Sequence, residues 1–210
     1  MDAVIIGAGG HGKVVLDALQ CAGGVRIVGF LDAAPGLHGT LVSAMPVLGG
    51  TNQFLRLRQQ KIRGVIVAIG DNRIRRQYAA EAEAAGFELI SVVHPTAVVS
   101  RSARIGRNVL IAAGAIICPD VQIADSVIVN TAAVVDHDCN IGHAAHIAPG
   151  AVLAGRVTVR EMAFVGLGAR ILPCFSIGAR AVIGAGAVIL ADVPDDRTAV
   201  GVPARLLPSP

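Results

Sequence analysis

The sequence predicts a chain of two parts, an α/β domain over residues 1–92 and a parallel β-helix over residues 93–210. Three observations predict this division. Strands alternate with helical stretches in the first part, a glycine-rich loop follows the first strand, and aliphatic residues recur at every sixth position through the second part.

The first part contains four buried strands separated by three helical stretches. We predict strands over residues 3–6, 27–31, 65–69 and 89–93, and helices over residues 11–22, 52–60 and 72–85. Because a helix that joins two strands of one sheet makes a right-handed crossover, this alternation predicts a parallel sheet.

A glycine motif opens the first helix. Gly7, Gly9 and Gly12 match the spacing GxGxxG, and Asp32 follows about twenty residues later, as in Rossmann-like dinucleotide-binding domains. Residues 1–92 suffice for only one mononucleotide-binding half, and no dehydrogenase substrate domain follows, so NAD is not the expected ligand. The motif still places backbone N–H groups and a helix N-terminus where they suit an anion. Glycine turns that only close the sheet remain the alternative.

Aliphatic residues occupy every sixth position from residue 93 to residue 189. They are Val93, Val99, Ile105, Ile111, Ile117, Ile123, Val129, Val135, Ile141, Ile147, Leu153, Val159, Val165, Ile171, Ile177, Ile183 and Ile189. The position two residues earlier is small or apolar from Ala97 onward, and the position just after is often glycine, as at Gly106 and Gly142.

A period of six fits neither an amphipathic helix nor a simple strand. It fits a prism with three flat faces, each built from one hexapeptide with its aliphatic side chain inward and small residues near the corner. Three hexapeptides complete one coil, and coils stack about 4.8 Å apart by hydrogen bonds between strands. The pattern therefore predicts a hexapeptide parallel β-helix.

Composition argues against several classes of protein. No apolar run reaches the roughly 18 residues of a membrane span, and an acid at position two without a small-residue cleavage site argues against a signal peptide. A net charge of +3 without a basic run interleaved with aromatic residues argues against nucleic-acid binding. Four cysteines without CxxC spacing suggest neither a disulfide framework nor a zinc ribbon, and they favour a reducing cytoplasm.

Three histidines and two aspartates lie within "VVDHDCNIGHAAHIAPG", residues 134–150. His137 lies two residues after an inward aliphatic position, near a corner that is open to solvent or to a neighbouring subunit. A histidine titrates near pH ~6.5 and can take a proton from an amine, and Asp138 would hold its tautomer and stabilise the imidazolium. Gly155, one coil later, would leave room beside the imidazole for a pantetheine arm. A solvated corner without catalytic role is the alternative, and we favour it for His143.

With these repeats, the glycine loop and the tail "GVPARLLP" after Val200, the chain resembles the left-handed β-helix acyltransferases. The nearest resemblance is to bacterial sugar acetyltransferases that act on nucleotide-linked 4-amino sugars of the bacillosamine and perosamine types, with the sialic-acid O-acetyltransferases as near relatives. It implies transfer of acetyl from acetyl-CoA to the 4-amino group of a UDP- or GDP-linked amino-deoxy sugar, a step in surface polysaccharide biosynthesis. O-acetylation of sialic acid or another sugar is the alternative.

The resemblance assigns residues of the first part to the acceptor, because this family binds the nucleotide sugar with the glycine loop. The matching positions are Gly9, Gly10, His11, Asp32 and Gly70. The family often has a second acid after Asp32, where this chain has Ala33.

The family pattern of an asparagine, a histidine followed by an acid, and a second histidine matches Asn130, His137, Asp138 and His146. By this match His137 is the general base and Asp138 is the acid that orients it. Asn130 contacts the acceptor, and His146 contacts the acetyl-CoA.

Two further positions match residues that line the acetyl-CoA site through backbone groups. They are Leu167 and Ala185, the second of which replaces a glycine. Three chains pack in this family with active sites between them, so we expect a homotrimer.

Zinc is a competing interpretation of the histidines. The γ-type carbonic anhydrases, another left-handed β-helix family, bind zinc through three histidines, one of them about two coils before the others. Two coils before His137 and His143 this chain has Arg101 and Arg107. The third neutral nitrogen ligand is missing, so we expect no metal. A non-catalytic β-helix scaffold that binds sugar nucleotides is the alternative from another class, and the intact histidine pattern argues against it.

Overall fold

The computed structural model describes residues 1–208. The chain divides into two compact units, Met1–Pro95 and Thr96–Pro210. The predicted fold class, an α/β part followed by a parallel β-helix, is confirmed. Among residues 1–208, no helix is long and apolar enough to cross a bilayer.

The first unit contains a small parallel sheet and three α-helices. Its strands are β1 (Asp2–Ile6), β2 (Arg26–Leu31), β3 (Leu41–Val42), β4 (Met45–Pro46), β5 (Gly64–Val67), β6 (Glu88–Leu89) and β7 (Val92–Val93), and its helices are α1 (Gly10–Ala22), α2 (Phe54–Gln59) and α3 (Asn72–Ala84). Two single 3₁₀ turns, Pro35–Leu37 and Thr51–Gln53, complete it. The sheet order is β2, β1, β5, β6, and all its pairs are parallel, as predicted.

Two strand predictions were wrong in their extent. The strand predicted over residues 65–69 ends at Val67, because the chain leaves the sheet to reach Asp71, whose carboxylate caps α3 by accepting from Ile74 N at 2.8 Å. The strand predicted over residues 89–93 is divided into β6 and β7. The hairpin of β3 and β4 was not predicted, because strands of two residues show no periodicity.

The core of the first unit holds the sheet edge on which the site is built. Val4, Leu31 and Val65 are fully buried in the sheet, and Ala79 and Ala82 of α3 belong to the same core. Since β1, β2 and β5 run in parallel, the loops that follow them emerge at one edge of the sheet, which is where open α/β sheets bind ligands.

The second unit is a column of stacked coils with one short strand on each face. Its strands are β8 (Val98–Val99), β9 (Arg104–Ile105), β10 (Leu110–Ile111), β11 (Ile116–Ile117), β12 (Gln122–Ile123), β13 (Ile128–Val129), β14 (Val134–Val135), β15 (Asn140–Ile141), β16 (His146–Ile147), β17 (Val152–Leu153), β18 (Thr158–Val159), β19 (Phe164–Val165), β20 (Arg170–Ile171), β21 (Ser176–Ile177), β22 (Val182–Ile183), β23 (Val188–Ile189), β24 (Thr198–Val200) and β25 (Arg205–Leu206). Each strand from β8 to β20 pairs in parallel with the third strand after it, as Val135 pairs with Leu153, which is one coil later.

The interior of the coils is aliphatic, as the repeat predicts. From Ile111 to Ile189 every inward aliphatic residue is at most 4% exposed. The glycine that often follows it permits the coils to stack, since a Cβ on Gly142 would lie 2.7 Å from the backbone of Arg160 in the next coil.

The corners turn at a residue three positions after the inward aliphatic. This residue has a positive φ in every hexapeptide from residue 108 to residue 186, and in most of them it is not glycine. Asp138, with φ 59°, and Cys174, with φ 69°, are two of these corner residues. Small residues at the corner, which we predicted, are therefore not required, because the backbone of the coil imposes the turn.

Candidate active site

Loops at the carboxyl ends of β1, β2 and β5 surround a cavity of about 740 Å³ in the first unit. The five residues predicted for the acceptor in this part of the chain all line it. They are Gly9, Gly10, His11, Asp32 and Gly70. The structure therefore brings together residues that lie up to about sixty positions apart in the sequence.

The glycines of the loop have two different roles. Gly7 has a φ of 105°, and a Cβ there would lie 2.6 Å from the carbonyl oxygen of Ala68, while a Cβ on Gly12 would overlap the carbonyl oxygen of Gly7. These two glycines are required by packing. A Cβ on Gly9 or Gly10 would meet no protein atom within 4 Å, so these two leave the backbone at the start of α1 open toward the cavity.

Asp32 holds the glycine loop. Its Oδ2 accepts a hydrogen bond from Ala8 N at 2.8 Å, and its Oδ1 accepts one from Ala34 N at 2.9 Å. The carboxylate lines the cavity and also ties β2 to the loop after β1, a role that the sequence did not reveal. Ala33, in place of the family's second acid, lines the cavity as well.

His11 and Arg75 are two basic side chains held close to each other by the first unit. Burial lowers the pKa of His11 to about 4, with the charge of Arg75 as a second cause, so the imidazole is neutral at neutral pH. Arg75 is fully buried, and its guanidinium donates to Ile69 O, Gly70 O and Asn72 Oδ1 at 2.9, 3.1 and 2.7 Å. Burial lowers the pKa of Arg75 to about 10, which leaves it charged at neutral pH.

Several residues of this cavity were not predicted from the sequence. His38, Asn52 and Tyr78 line it, and His38 Nε2 lies 2.8 Å from Asp32 O. The sequence does contain an indication that Arg75 is buried, because Arg75 precedes Ala79 and Ala82 at helical spacing on the buried face of α3. A charged residue on such a face is rarely buried without a specific role.

The second cluster is on the β-helix. His137 and Asp138 occupy the turn after β14, where His137 Nδ1 and Asp138 Oδ2 are 2.8 Å apart. Both side chains are about half exposed. Since Nδ1 is engaged by the carboxylate, Nε2 is the nitrogen that remains to accept a proton from a substrate.

The His137 ring occupies the space that the missing side chain of Gly155 leaves. A Cβ on Gly155, one coil later, would lie 2.5 Å from His137 Nε2 and 2.6 Å from its Cε1. The imidazole therefore lies against the backbone of Gly155, and the slot for pantetheine beside the ring stays a prediction.

Asn130 and His146 lie side by side, although we predicted that Asn130 contacts the acceptor and His146 the acetyl-CoA. Asn130 Nδ2 is 3.2 Å from His146 Nε2, and Asn130 Oδ1 accepts from Thr131 N at 2.8 Å. His146 is only 8% exposed and meets Phe164 edge to face, with ring centroids 5.2 Å apart.

Leu167 and Ala185 occupy a different corner of the prism from His137. They are exposed and lie one coil apart, and Gly186 N donates to Leu167 O at 2.8 Å. On the corner of His137 the equivalent bond runs from Arg156 N to His137 O, also 2.8 Å. Within one chain, the predicted base and these two predicted acetyl-CoA positions therefore lie on different corners of the prism.

The histidines of the β-helix do not bring three metal-ligating atoms together within one chain. His143 is half-buried on the third corner. Among residues 1–208, the group that does so is Asp17, Cys21 and His94 of the first unit, whose donor atoms lie within 4.8 Å of one another at the protein surface. All four cysteines are free thiols.

The chain is similar to proteins of known structure along its whole length. Residues 2–82 match the family of the PglD N-terminal domain. PerB from Caulobacter crescentus, solved in complex with CoA and GDP-perosamine, is 44% identical with a TM-score of 0.95, over 99% of this chain and 98% of that one. The acetyltransferase domain of PglB from Neisseria gonorrhoeae, solved in complex with acetyl coenzyme A, is 42% identical with a TM-score of 0.92, over 98% of each chain.

A third relative matches over a shorter stretch. The UDP-N-acetylbacillosamine N-acetyltransferase of Bacillus subtilis is 36% identical over 114 residues, which cover 53% of this chain and 51% of that enzyme. The match therefore spans about half the length of this relative.

Proposed function

The chain belongs to the family of nucleotide-sugar N-acetyltransferases represented by the perosamine N-acetyltransferase PerB, and we propose that it transfers acetyl from acetyl-CoA to the 4-amino group of a UDP- or GDP-linked amino-deoxy sugar. In this proposal the unit Met1–Pro95 binds the nucleotide sugar, and the unit Thr96–Pro210 binds acetyl-CoA and supplies the base. The observation that carries the proposal is the pair of His137 and Asp138, in which the carboxylate engages Nδ1 and leaves Nε2, next to the Gly155 backbone, as the nitrogen that can take the proton.

The cavity of the first unit suits a nucleoside diphosphate. Gly9 and Gly10 leave the backbone at the start of α1 open, and helix N-terminal N–H groups favour phosphate oxygens. The buried charge of Arg75 adds positive potential beneath the loop, while neutral His11 can offer a hydrogen bond but no charge. Asp32 supports this arrangement by fixing the loop through Ala8 N.

The chemistry needs one proton acceptor and no covalent acyl-enzyme. The neutral amine of the sugar attacks the carbonyl carbon of the thioester, His137 Nε2 takes a proton from the amine, and the bond from carbon to sulfur breaks. The thiolate of CoA leaves and receives a proton, which yields the amide and free CoA. Asp138 stabilises the imidazolium through Nδ1 and holds the ring in its tautomer.

The family pattern is the basis for assigning four further residues, Asn130, His146, Leu167 and Ala185. We assign Asn130 to the acceptor and the other three to acetyl-CoA. Because Asn130 and His146 are hydrogen-bonded to each other, the position of the residue assigned to the acceptor depends on the position of a residue assigned to acetyl-CoA.

A homotrimer is part of the proposal, and two observations support it. His137 and Leu167 lie on different corners of one prism, so a groove that contains both needs a corner from a neighbouring chain. Five of the six outward residues on one face of the prism, which we call the apolar face, are aliphatic, and the sixth is Arg170. The outward residues of that face are Val98, Ile116, Val134, Val152, Arg170 and Val188, whereas those of the face of β9 to β21 are Arg104, Gln122, Asn140, Thr158 and Ser176.

We also place the protein in the cytoplasm, because its four free thiols suit a reducing compartment. The product, an N-acetylated nucleotide sugar, is an activated glycosyl donor. A glycosyltransferase of surface polysaccharide biosynthesis is the class of enzyme that would consume it.

The test is release of CoA thiol with a panel of acceptors. GDP-perosamine, UDP-linked 4-amino sugars and free sialic acid are compared at equal concentration, and we expect turnover with a nucleotide-linked amine. His137→Ala should remain folded and lose about 10²- to 10⁴-fold in kcat, the range for removal of a general base. Acetylation of free sugars alone would refute the assignment of the acceptor, and wild-type turnover by His137→Ala would refute the mechanism.

A further inference from the structure

Gly155 shares a corner with His137, one coil further along the β-helix. The two coils are joined here by the hydrogen bond from Arg156 N to His137 O. The imidazole lies against Gly155, because a Cβ on this glycine would come within 2.5 Å of Nε2, 2.6 Å of Cε1 and 3.1 Å of Cδ2. All three closest atoms belong to the ring, and none belongs to the backbone of a neighbouring coil.

The backbone conformation does not explain a glycine at this position. Gly150 and Gly168 turn their corners with φ of 67° and 63°, whereas Gly155 is not among the residues with positive φ. The same position holds Pro119 in the coil of β11 and Pro173 in the coil of β20, so the corner itself accepts a residue with a Cβ. The need for glycine arises only in the coil that lies against His137.

From these contacts we propose that Gly155 is a positioning residue for the reaction, because it provides the space in which the His137 ring is held. The inference rests on the proposed function. The ring is then fixed on two sides, by Asp138 Oδ2 at Nδ1 and by the Gly155 backbone next to Nε2 and Cε1. A methyl group at Gly155 would displace the ring from this place while the coils kept their own hydrogen bonds.

The displacement would act on the reacting atom. Nε2 is the nitrogen that takes the proton, and a misplacement of about 1 Å in a catalytic group can lower a rate by about 10²-fold. We therefore expect Gly155→Ala to fold, to assemble as the wild type does, and to lose about 10- to 100-fold in kcat. Pro173→Ala, a change at the same position one coil later, serves as the control and should leave kcat unchanged.

A double-mutant cycle distinguishes positioning from general damage. If Gly155 acts through the imidazole, then Gly155→Ala should change the residual rate of His137→Ala by less than about twofold. A structural defect would lower both backgrounds by the same factor. An equal loss in both, or an unchanged kcat in the single variant, would overturn the proposal.

A second measurement does not depend on the reaction. The ¹⁵N and ¹³C imidazole resonances of His137, assigned with the His137→Ala variant, should shift in Gly155→Ala and stay in place in Pro173→Ala. Unchanged resonances in Gly155→Ala would refute the steric argument even if activity fell. If the resonances shift and no nucleotide sugar is acetylated by the wild type, the proposed function fails and the contact between Gly155 and the ring stands.

Discussion

Acid should weaken the first unit through His11. The pKa of this imidazole is lowered from 6.5 to about 4, by burial first and by the charge of Arg75 second. In the unfolded chain His11 returns to its ordinary pKa, so between these two values the unfolded state binds more protons than the folded state. The contribution of His11 to the free energy of unfolding is therefore fully present above about pH 6.5 and is lost as the pH falls toward about 4. At about 1.4 kcal/mol for each tenfold change in proton affinity, His11 accounts for about 3 kcal/mol of that loss.

The perturbation that isolates this effect is His11→Gln, which keeps a polar side chain without a titrating group. Urea unfolding of both proteins is followed at about pH 7 and about pH 4 by the fluorescence of Tyr78, the single tyrosine in a chain without tryptophan. Because Tyr78 lies in the first unit and lines the cavity, the signal reports on the unit that contains His11. Any constant cost of the substitution cancels in the comparison between the two pH values.

The expected result is a free energy of unfolding that drops by about 3 kcal/mol less in His11→Gln than in the wild type over this range. Equal drops in the two proteins would refute the argument, since His11 would then have the same proton affinity in both states. A larger drop in the variant would refute it as well.

The remaining predictions concern the acceptor, metals and assembly. Asp32→Ala removes the carboxylate that accepts a hydrogen bond from Ala8 N. Steady-state kinetics should show that the KM for the nucleotide sugar rises by about 10- to 100-fold, which corresponds to the loss of a hydrogen bond to a charged group, while the KM for acetyl-CoA is nearly unchanged. Equal effects on both KM values would contradict the assignment of the cavity. Dialysis against EDTA should leave kcat intact, because no step requires a Lewis acid, and loss of activity that zinc restores would revive the zinc hypothesis. Ile116→Asp, on the apolar face, should lower the mass measured by light scattering from that of three chains toward that of one. Gln122→Asp, on the face of β9 to β21, should leave the mass unchanged. A trimer unaffected by Ile116→Asp would show that the apolar face is not the interface.

The repeat was the most predictable part of the fold. From Ile111 to Ile189 each inward aliphatic residue is buried, because a hexapeptide face has one inward position in register with the next coil, so the pattern alone located this interior. Val93, Val99 and Ile105, the first three predicted inward residues, are only half-buried. The corners were less predictable. Their positive φ comes from the closed geometry of the coil, and residues such as Arg156 and Met162 adopt it without any sign in the sequence.

The site shows the same contrast between local and long-range information. The glycine loop, Asp32 and the pair of His137 and Asp138 were predicted, because each is a local motif or follows from the repeat. The hydrogen bond from Ala8 N to Asp32 and the buried guanidinium of Arg75 depend instead on contacts between segments that are distant in the sequence. A period or a spacing does not specify such contacts.

The parallel stacking of coils has a consequence for how this chain tolerates change. In a linear array, each unit exchanges free energy mainly with the unit before it and the unit after it. A substitution at one corner, such as the one occupied by Asp120, Asp138, Arg156 and Cys174 in four successive coils, therefore perturbs a local interface and leaves the rest of the column intact. Corner residues outside the proposed site, such as Asp120 and Cys174, are therefore positions at which a substitution changes one interface between coils while the stability of the remaining coils is kept.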